Sequence, residues 1–295
     1  MQKPRAKKVI NNSSTYATLV KRAGAPSLQR KALANLSLSH TEFSVIMGGL
    51  LGNGSLKLYA GHKNAHYSFR HTVGVTTTQA NYFYSKCSLL STIGSANCIF
   101  EQPPTGYSKL SRLRYRSRAL QPLTSIHAHT HKKNQLVIRR RWLNHLTPLS
   151  LAIWWFDNGS IVGGGRRGCL CTDGFTEGGC NILARYLLVV WGIRARVGPV
   201  RERGGAVYYR LWFSTNQLKS FLDIILPHIP HAEMVYKCII HYKQNALQQR
   251  WISHILNKCP SHLRQHVLGV IEKRCRNANS SSLNLSAEAG GVERK

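Results

Sequence analysis

The sequence predicts an α+β fold built as a tandem repeat with approximate two-fold symmetry. Three observations lead there. An apolar run closed by Asn-Gly-Ser occurs twice, first as Phe43-Ser-Val-Ile-Met-Gly-Gly-Leu-Leu-Gly-Asn-Gly-Ser55 and again as Leu149-Ser-Leu-Ala-Ile-Trp-Trp-Phe-Asp-Asn-Gly-Ser160. Each run is followed by the same succession of strand-like and helix-like segments. The chain of 295 residues is 43% hydrophobic, which is enough to bury a sizeable core.

The elements follow in order. Residues 1–38 are basic and acid-free and include Ala-Gly-Ala-Pro. They are expected to form an arm, either ordered along RNA or serving as a targeting segment. The first repeat spans 39–145. Ser39, three residues before Glu42, fits a capping box that opens its first helix. Strands are expected near Leu56–Ala60, His66–Val75, Ala96–Gln102 and Arg112–Arg118, with helices over Gln79–Ile93 and Leu120–His131. The second repeat spans 146–243, and Thr147-Pro148 opens its first helix with proline in the first turn. Its strands are expected near Ser160–Val162, Arg166–Thr172, Arg194–Val200 and Ala206–Phe213. Its helices are expected over Glu177–Trp191 and Gln217–Ile225. An amphipathic helical extension is expected over 244–276. The segment 277–295, rich in Asn, Ser, Gly and Ala, reads as a tail. Gly48 and Gly52 lie four apart on one helix face, so the two run helices are expected to meet there as a close seam.

Charge narrows the function. Forty-one Lys and Arg stand against eleven Asp and Glu, a formal net charge of +30. Such an excess repels itself unless it meets a polyanion, and nucleic acid is the partner it points to. No apolar run reaches the ~20 residues of a membrane span, and no long basic amphipathic helix favours a membrane surface. Arg112, Arg114, Arg116 and Arg118 alternate with Leu113, Tyr115 and Ser117, so a strand there would project four guanidiniums from one face. The second repeat has the same trait in Arg194 and Arg196, and mixes Tyr208, Arg210 and Trp212. Lys57, Arg70, Arg166, Arg167, Arg201 and Arg203 add to the expected basic surface. The eight cysteines form no CxxC pair and read as reduced thiols. His127, His129 and His131 fall at a helix end, where they scatter around the axis, so no metal site is expected there.

The two runs, together with Tyr67-Ser-Phe-Arg70, Thr172-Asp-Gly-Phe-Thr-Glu177, Tyr208-Tyr-Arg210 and Met234-Val-Tyr-Lys237, resemble the LAGLIDADG homing endonucleases and maturases over about Ser39 to Lys243. The resemblance implies a monomer that mimics a dimer, with two saddle-shaped antiparallel sheets on nucleic acid and helices on the other face. It implies that Lys237 lies near the cleavage position, and Lys133 looks like its counterpart in the first repeat. In that family the acid before the terminal glycine of each run holds a catalytic divalent metal. Here Asn53 and Asn158 occupy those positions.

An asparagine offers magnesium one neutral oxygen where the ion favours anionic ligands. Glu42 and Glu101 are the only acids from Met1 to Phe156. Glu42 is about three helical turns away, which leaves Asp157 as the one residual acid nearby. The expectation is therefore a nuclease scaffold without endonuclease activity and without a metal or other cofactor. Its expected partner is a structured organellar RNA, either a ribosomal RNA with neighbouring ribosomal proteins or a group I intron as for a maturase. The expected compartment is the mitochondrion, with the chloroplast as a second choice. The alternative is a DNA homing endonuclease, either active through Asp157 with magnesium or carrying designed Asp-to-Asn changes.

Overall fold

A computed structural model describes residues 38–72, 77–103, 110–202 and 204–273. The basic arm 1–37, the tail beyond 273 and Arg203 lie outside the described residues, so the expectations placed on them have no structural counterpart here.

Two four-stranded antiparallel sheets form the frame, and they share one strand order. The first contains β1 (Gly54–Lys57), β2 (His66–Thr72), β3 (Ile99–Gln102) and β4 (Arg112–Arg116), in the order β1-β2-β4-β3. The second contains β7 (Gly159–Val162), β8 (Arg167–Leu170), β9 (Arg196–Arg201) and β10 (Val207–Phe213), in the order β7-β8-β10-β9. A small hairpin, β5 (His131–Lys132) and β6 (Gln135–Leu136), stands between the two halves in sequence. It was not expected from the sequence. Its two-residue turn is Lys133–Asn134, with φ of 49° and 61°, the pairing a tight hairpin turn requires.

Helix α1 (His40–Leu51) precedes the first sheet, and α4 (Pro148–Asn158) precedes the second. Ser39 caps α1 through a reciprocal box with Glu42, and Thr147 caps α4 through the Ser150 N–H. Glu42 also accepts from the Thr92 hydroxyl, so this acid is committed to capping and tertiary contacts. The two helices are almost wholly buried and lie directly against each other. A Cβ added at Gly48 would stand 2.3 Å from the Ser150 carbonyl oxygen, so only glycine lets the helices approach this closely. The Ser150 hydroxyl donates to the Ser44 carbonyl at 2.8 Å and that of Thr147 to the Ser44 hydroxyl at 2.9 Å, which fixes the register of the seam.

Four further helices pack on the sheets: α2 (Thr77–Ser88), α3 (Gln121–Thr130), α5 (Glu177–Tyr186) and α6 (Thr215–Ile225). Two stop well before their expected C-terminal ends. α2 ends at Ser88 and a separate turn covers Ser91–Ile93. α5 gives way to a wider π turn over Leu187–Trp191, closed by Gly192 in the left-handed conformation. α7 (Asn245–Lys258) packs on the second half: Trp251 donates to the Cys238 carbonyl, and His254 and Lys258 both reach Asp223 of α6. The outcome is an α+β architecture of two antiparallel sheets with helices on one face.

Candidate nucleic-acid interface

Strand alternation separates the two faces of the first sheet. Tyr67, Phe69 and His71 of β2, with Leu113 and Tyr115 of β4, turn towards the helices and are buried. Arg70, Thr72, Arg112, Arg114 and Arg116 turn to the open face. Arg70 lies directly opposite Arg114, and Arg112 opposite Thr72. Like charges in direct cross-strand register are destabilising unless an anion comes between them. The acid of β3 does not relieve them: Glu101 pairs with Leu113, on the helix-side parity, while Phe100 pairs with Arg114 and Gln102 with Arg112. Arg114 stands 5.8 Å from the Phe100 ring centre, and Arg116 stands 5.9 Å from that of Tyr59. His66 shares this face and is 3% exposed. Its burial, then Arg116, Arg114 and Lys57, push its pKa down from 6.5 to about 4.

Arg118 leaves this row. The strand ends at Arg116, and the Arg118 guanidinium turns back to donate to the Thr92 carbonyl. Its backbone N–H bonds the Ile93 carbonyl, so the chain has left the ladder before reaching it. The open face therefore carries three arginines of the run rather than four.

The second sheet is built differently. On its open face Tyr208, Arg210 and Trp212 of β10 pair with Val200, Gly198 and Arg196 of β9. Arg210 is occupied: its Nε and Nη2 donate to the two carboxylate oxygens of Asp173 at 2.7 and 2.6 Å. The sequence grouped Arg210 with the nucleic-acid-binding cations and did not show this carboxylate partner. Arg196 and Arg167 are exposed on strands, Arg166 on the turn between β7 and β8, and Arg194 just before β9. Arg201 pairs with Val207, on the parity of Tyr209, Leu211 and Phe213, and so falls on the helix side of the edge strand rather than the open face.

The two lysines read as counterparts stand in unlike places. Lys133 is exposed at the tip of the small hairpin. Lys237 is largely enclosed: its ammonium donates to the Phe156 carbonyl at 2.7 Å, and its own carbonyl accepts from the Trp155 indole at 3.0 Å. Burial lowers its pKa to about 8 against the opposing pull of Asp157 and Cys171.

The ends of α1 and α4 meet between the sheets. Asn53 is exposed on the turn after α1. It lines a cleft of about 720 Å³ together with Ser55, Lys57, Arg70, Arg112 and Arg114. Asn158 is held from the other side, its amide donating to the Cys171 carbonyl at 3.2 Å. A carboxylate at that position would set oxygen against oxygen.

Asp157 has no exposed side-chain surface. One of its oxygens accepts from the Tyr82 hydroxyl, the other from the Asn53 N–H at 3.1 Å, and both accept from Lys86 at 2.8 Å. His71 stands 3.7 Å away. Burial alone would raise the Asp157 carboxyl, but Lys86, His71 and the Asn53 N–H overcome it and hold the carboxyl below its ordinary range. Gly52 makes room for this side chain, since a Cβ there would sit 2.4 Å from Asp157 Oδ2. Gly52 thus accommodates a side chain, where Gly48 accommodates backbone.

Lys86, Tyr82 and His71 were missed as members of this centre. The sequence signal was the i, i+4 spacing of Tyr82 and Lys86, which puts both on one face of α2, but nothing in the sequence pointed that face at Asp157. His127 and His131 stack with ring centres 4.4 Å apart, and no group of metal-binding side chains occurs among the described residues. The cysteines among those residues are free thiols.

Residues 43–221 match the LAGLIDADG DNA endonuclease family. The chain belongs to that family. This LAGLIDADG protein is similar to the homing endonuclease I-WcaI bound to its DNA recognition sequence, with a TM-score of 0.59 and 15% identity over 76% of this chain and 99% of that one. It is 29% identical over 196 residues to the cytochrome b mRNA maturase bI2 of Saccharomyces cerevisiae, covering 63% of this chain and 44% of the maturase. It is also 29% identical over 223 residues to protein RecA of Mycobacterium leprae (strain TN), covering 70% of this chain and 29% of that protein. The RecA protein of Mycolicibacterium flavescens is 27% identical over 219 residues, again 70% of this chain and 48% of that protein. The LAGLIDADG chain thus spans half or less of the length of the curated relatives it matches.

A divalent metal between the run helices is what the family resemblance implies, and the residues at this centre do not fit one. The two run-end positions offer neutral amides, and the Asn158 amide points its donor at a carbonyl. Both oxygens of the one carboxylate are already engaged by an ammonium, a hydroxyl and a backbone N–H. Magnesium needs anionic oxygens with free lone pairs and room for water.

Proposed function

We propose that this chain is a non-catalytic RNA-binding protein on a LAGLIDADG scaffold, resident on a large structured organellar RNA. The observation that carries the reading is the open face of the first sheet. There Arg70 stands opposite Arg114, Arg112 and Arg116 flank them, and no carboxylate of the described residues shares the face. A polyanion relieves that repulsion, and a phosphate backbone has the right repeat of charge. The loss of endonuclease activity is supported by the engaged state of Asp157 and by the amides of Asn53 and Asn158. The choice of RNA is supported by the net charge of +30 and by similarity to a protein named for maturation of an mRNA. A ribonucleoprotein component, such as a mitochondrial ribosomal protein, and an intron maturase both fit these features. A recombinase reading gains nothing from this chain, which has no G-x-x-x-x-G-K-[ST] phosphate loop.

Crosslinking the protein in cells and sequencing the attached nucleic acid tests the proposal. Ribosomal or intron RNA is the expected recovery, and DNA alone would overturn it. The family itself motivates the second reading, a DNA homing endonuclease. Site-specific nicking with magnesium or manganese, above a mock preparation, would establish that reading and end the first.

A further inference from the structure

We infer that the cleft around Asn53 is a seat for a backbone phosphate of the bound nucleic acid, gripped directly by side-chain donors with no divalent cation between. The inference deepens the reading above and rests on it for the identity of the polymer. Its ground is the donor set. The cleft brings together the Asn53 amide, the guanidiniums of Arg70, Arg112 and Arg114, the Lys57 ammonium and the hydroxyls of Ser55, Ser68 and Thr72, with no Asp or Glu in its lining. Arginine forks and lysine ammoniums are the groups that bind phosphate oxygens, and hydroxyls and amides complete such shells.

The floor of the cleft is neutralised in advance. Asp157 accepts the Asn53 backbone N–H, but its charge is matched by Lys86 and neither side chain reaches solvent. The field an incoming anion meets is therefore set by the four cations of the lining. The volume of about 720 Å³ lies within the range of small-ligand sites and admits a nucleotide unit. The polarity of the site is thereby inverted. A centre that recruits phosphate through a cation needs carboxylates at its base, and a centre that grips phosphate directly is harmed by one.

The test reads that sign. The full chain is titrated onto a fluorescein-labelled RNA hairpin, chosen because its duplex persists without magnesium, and anisotropy is read in EDTA and in magnesium chloride at matched ionic strength. Wild-type affinity is expected to be the same in both within about twofold, well under the tenfold that 1.4 kcal/mol represents. Asn53→Asp, isosteric and on an exposed turn, is expected to weaken binding about tenfold in EDTA, a loss of ~1.4 kcal/mol. Gln249→Glu, an equal change of net charge on the exposed face of α7, serves as the control and is expected to change little.

Inorganic phosphate as competitor separates a true seat from diffuse attraction. It should displace RNA from wild type more effectively than an equal ionic strength of chloride does, and should lose that advantage in Arg114→Ala. A wild-type requirement for magnesium overturns the inference, as does Asn53→Asp behaving like Gln249→Glu, or phosphate behaving like chloride. The same measurements on a DNA duplex keep the two claims apart. The Asn53→Asp pattern on DNA with no RNA binding would defeat the RNA reading and leave the phosphate seat standing. RNA binding indifferent to Asn53 would do the reverse.

Discussion

At the scale of single residues, the decisive pair is Lys86 and Asp157. Each is excluded from solvent, and their polar atoms meet at 2.8 Å. A buried ion pair adds little to stability against a well-packed apolar replacement, but breaking it strands a charge. Lys86→Met is therefore expected to cost ~3–5 kcal/mol, and Lys86→Met with Asp157→Leu to recover most of it. Denaturant midpoints of the three proteins check this, and an equal loss in single and double variants would show that the pair does not act as a unit. His66 supplies a pH signature. Its pKa in the fold lies near 4 against 6.5 unfolded, so the unfolded chain binds more protons between those values. Its contribution is thus fully present above pH 6.5 and is lost as pH falls towards 4. Urea unfolding from pH 7 to 4 should show stability declining on acidification, with a shallower decline in His66→Gln. Bound RNA should blunt the trend by offsetting the cations that disfavour His66 protonation.

At the scale of elements, β4 decides the binding thermodynamics. Affinity for RNA should fall by orders of magnitude between about 50 and 200 mM salt if six or more phosphates are contacted. Arg112→Ala, Arg114→Ala and Arg116→Ala together should flatten the salt slope by about one for each arginine that touches a phosphate. Arg118→Ala, whose guanidinium is spent on the Thr92 carbonyl, should leave the slope nearly unchanged. A fluorescence titration series in potassium chloride reads both. Elements were also where the sequence was most legible. The capping box at Ser39, the alternation on β4 and the run helices are local signals, legible directly from residue type and spacing. What stayed hidden was set by distant partners. The break after Arg116 comes with a backbone bond from Arg118 to Ile93, the capture of Arg210 comes from a carboxylate on a loop, and the small hairpin is tied back by the Asn134 amide donating to the Leu58 carbonyl. Asp157 was visible as a residual acid, but its side-chain direction was not, because that depends on how the two halves dock.

At the scale of the whole molecule, two sheets of one topology present unlike faces to solvent. The first presents Arg70, Arg112, Arg114 and Arg116, with no carboxylate on that face among the described residues. The second has one arginine tied to Asp173 and aromatic surface at Tyr208 and Trp212. The two halves share a strand order but not a surface chemistry, which suits a target without symmetry of its own. The seam between the halves is asymmetric as well. The carboxylate that secures the turn after α1 belongs to α4, while the ammonium that answers it belongs to α2. The first half, separated at 145, would keep an orphan ammonium in its interior, and the second would expose a carboxylate shaped to be inside. Expressed apart, neither fragment should give a monomeric folded species by gel filtration and circular dichroism, and mixing them should restore one. Each half thus carries a charge that only the other half can answer, so the two behave as one folding unit however alike their topologies are.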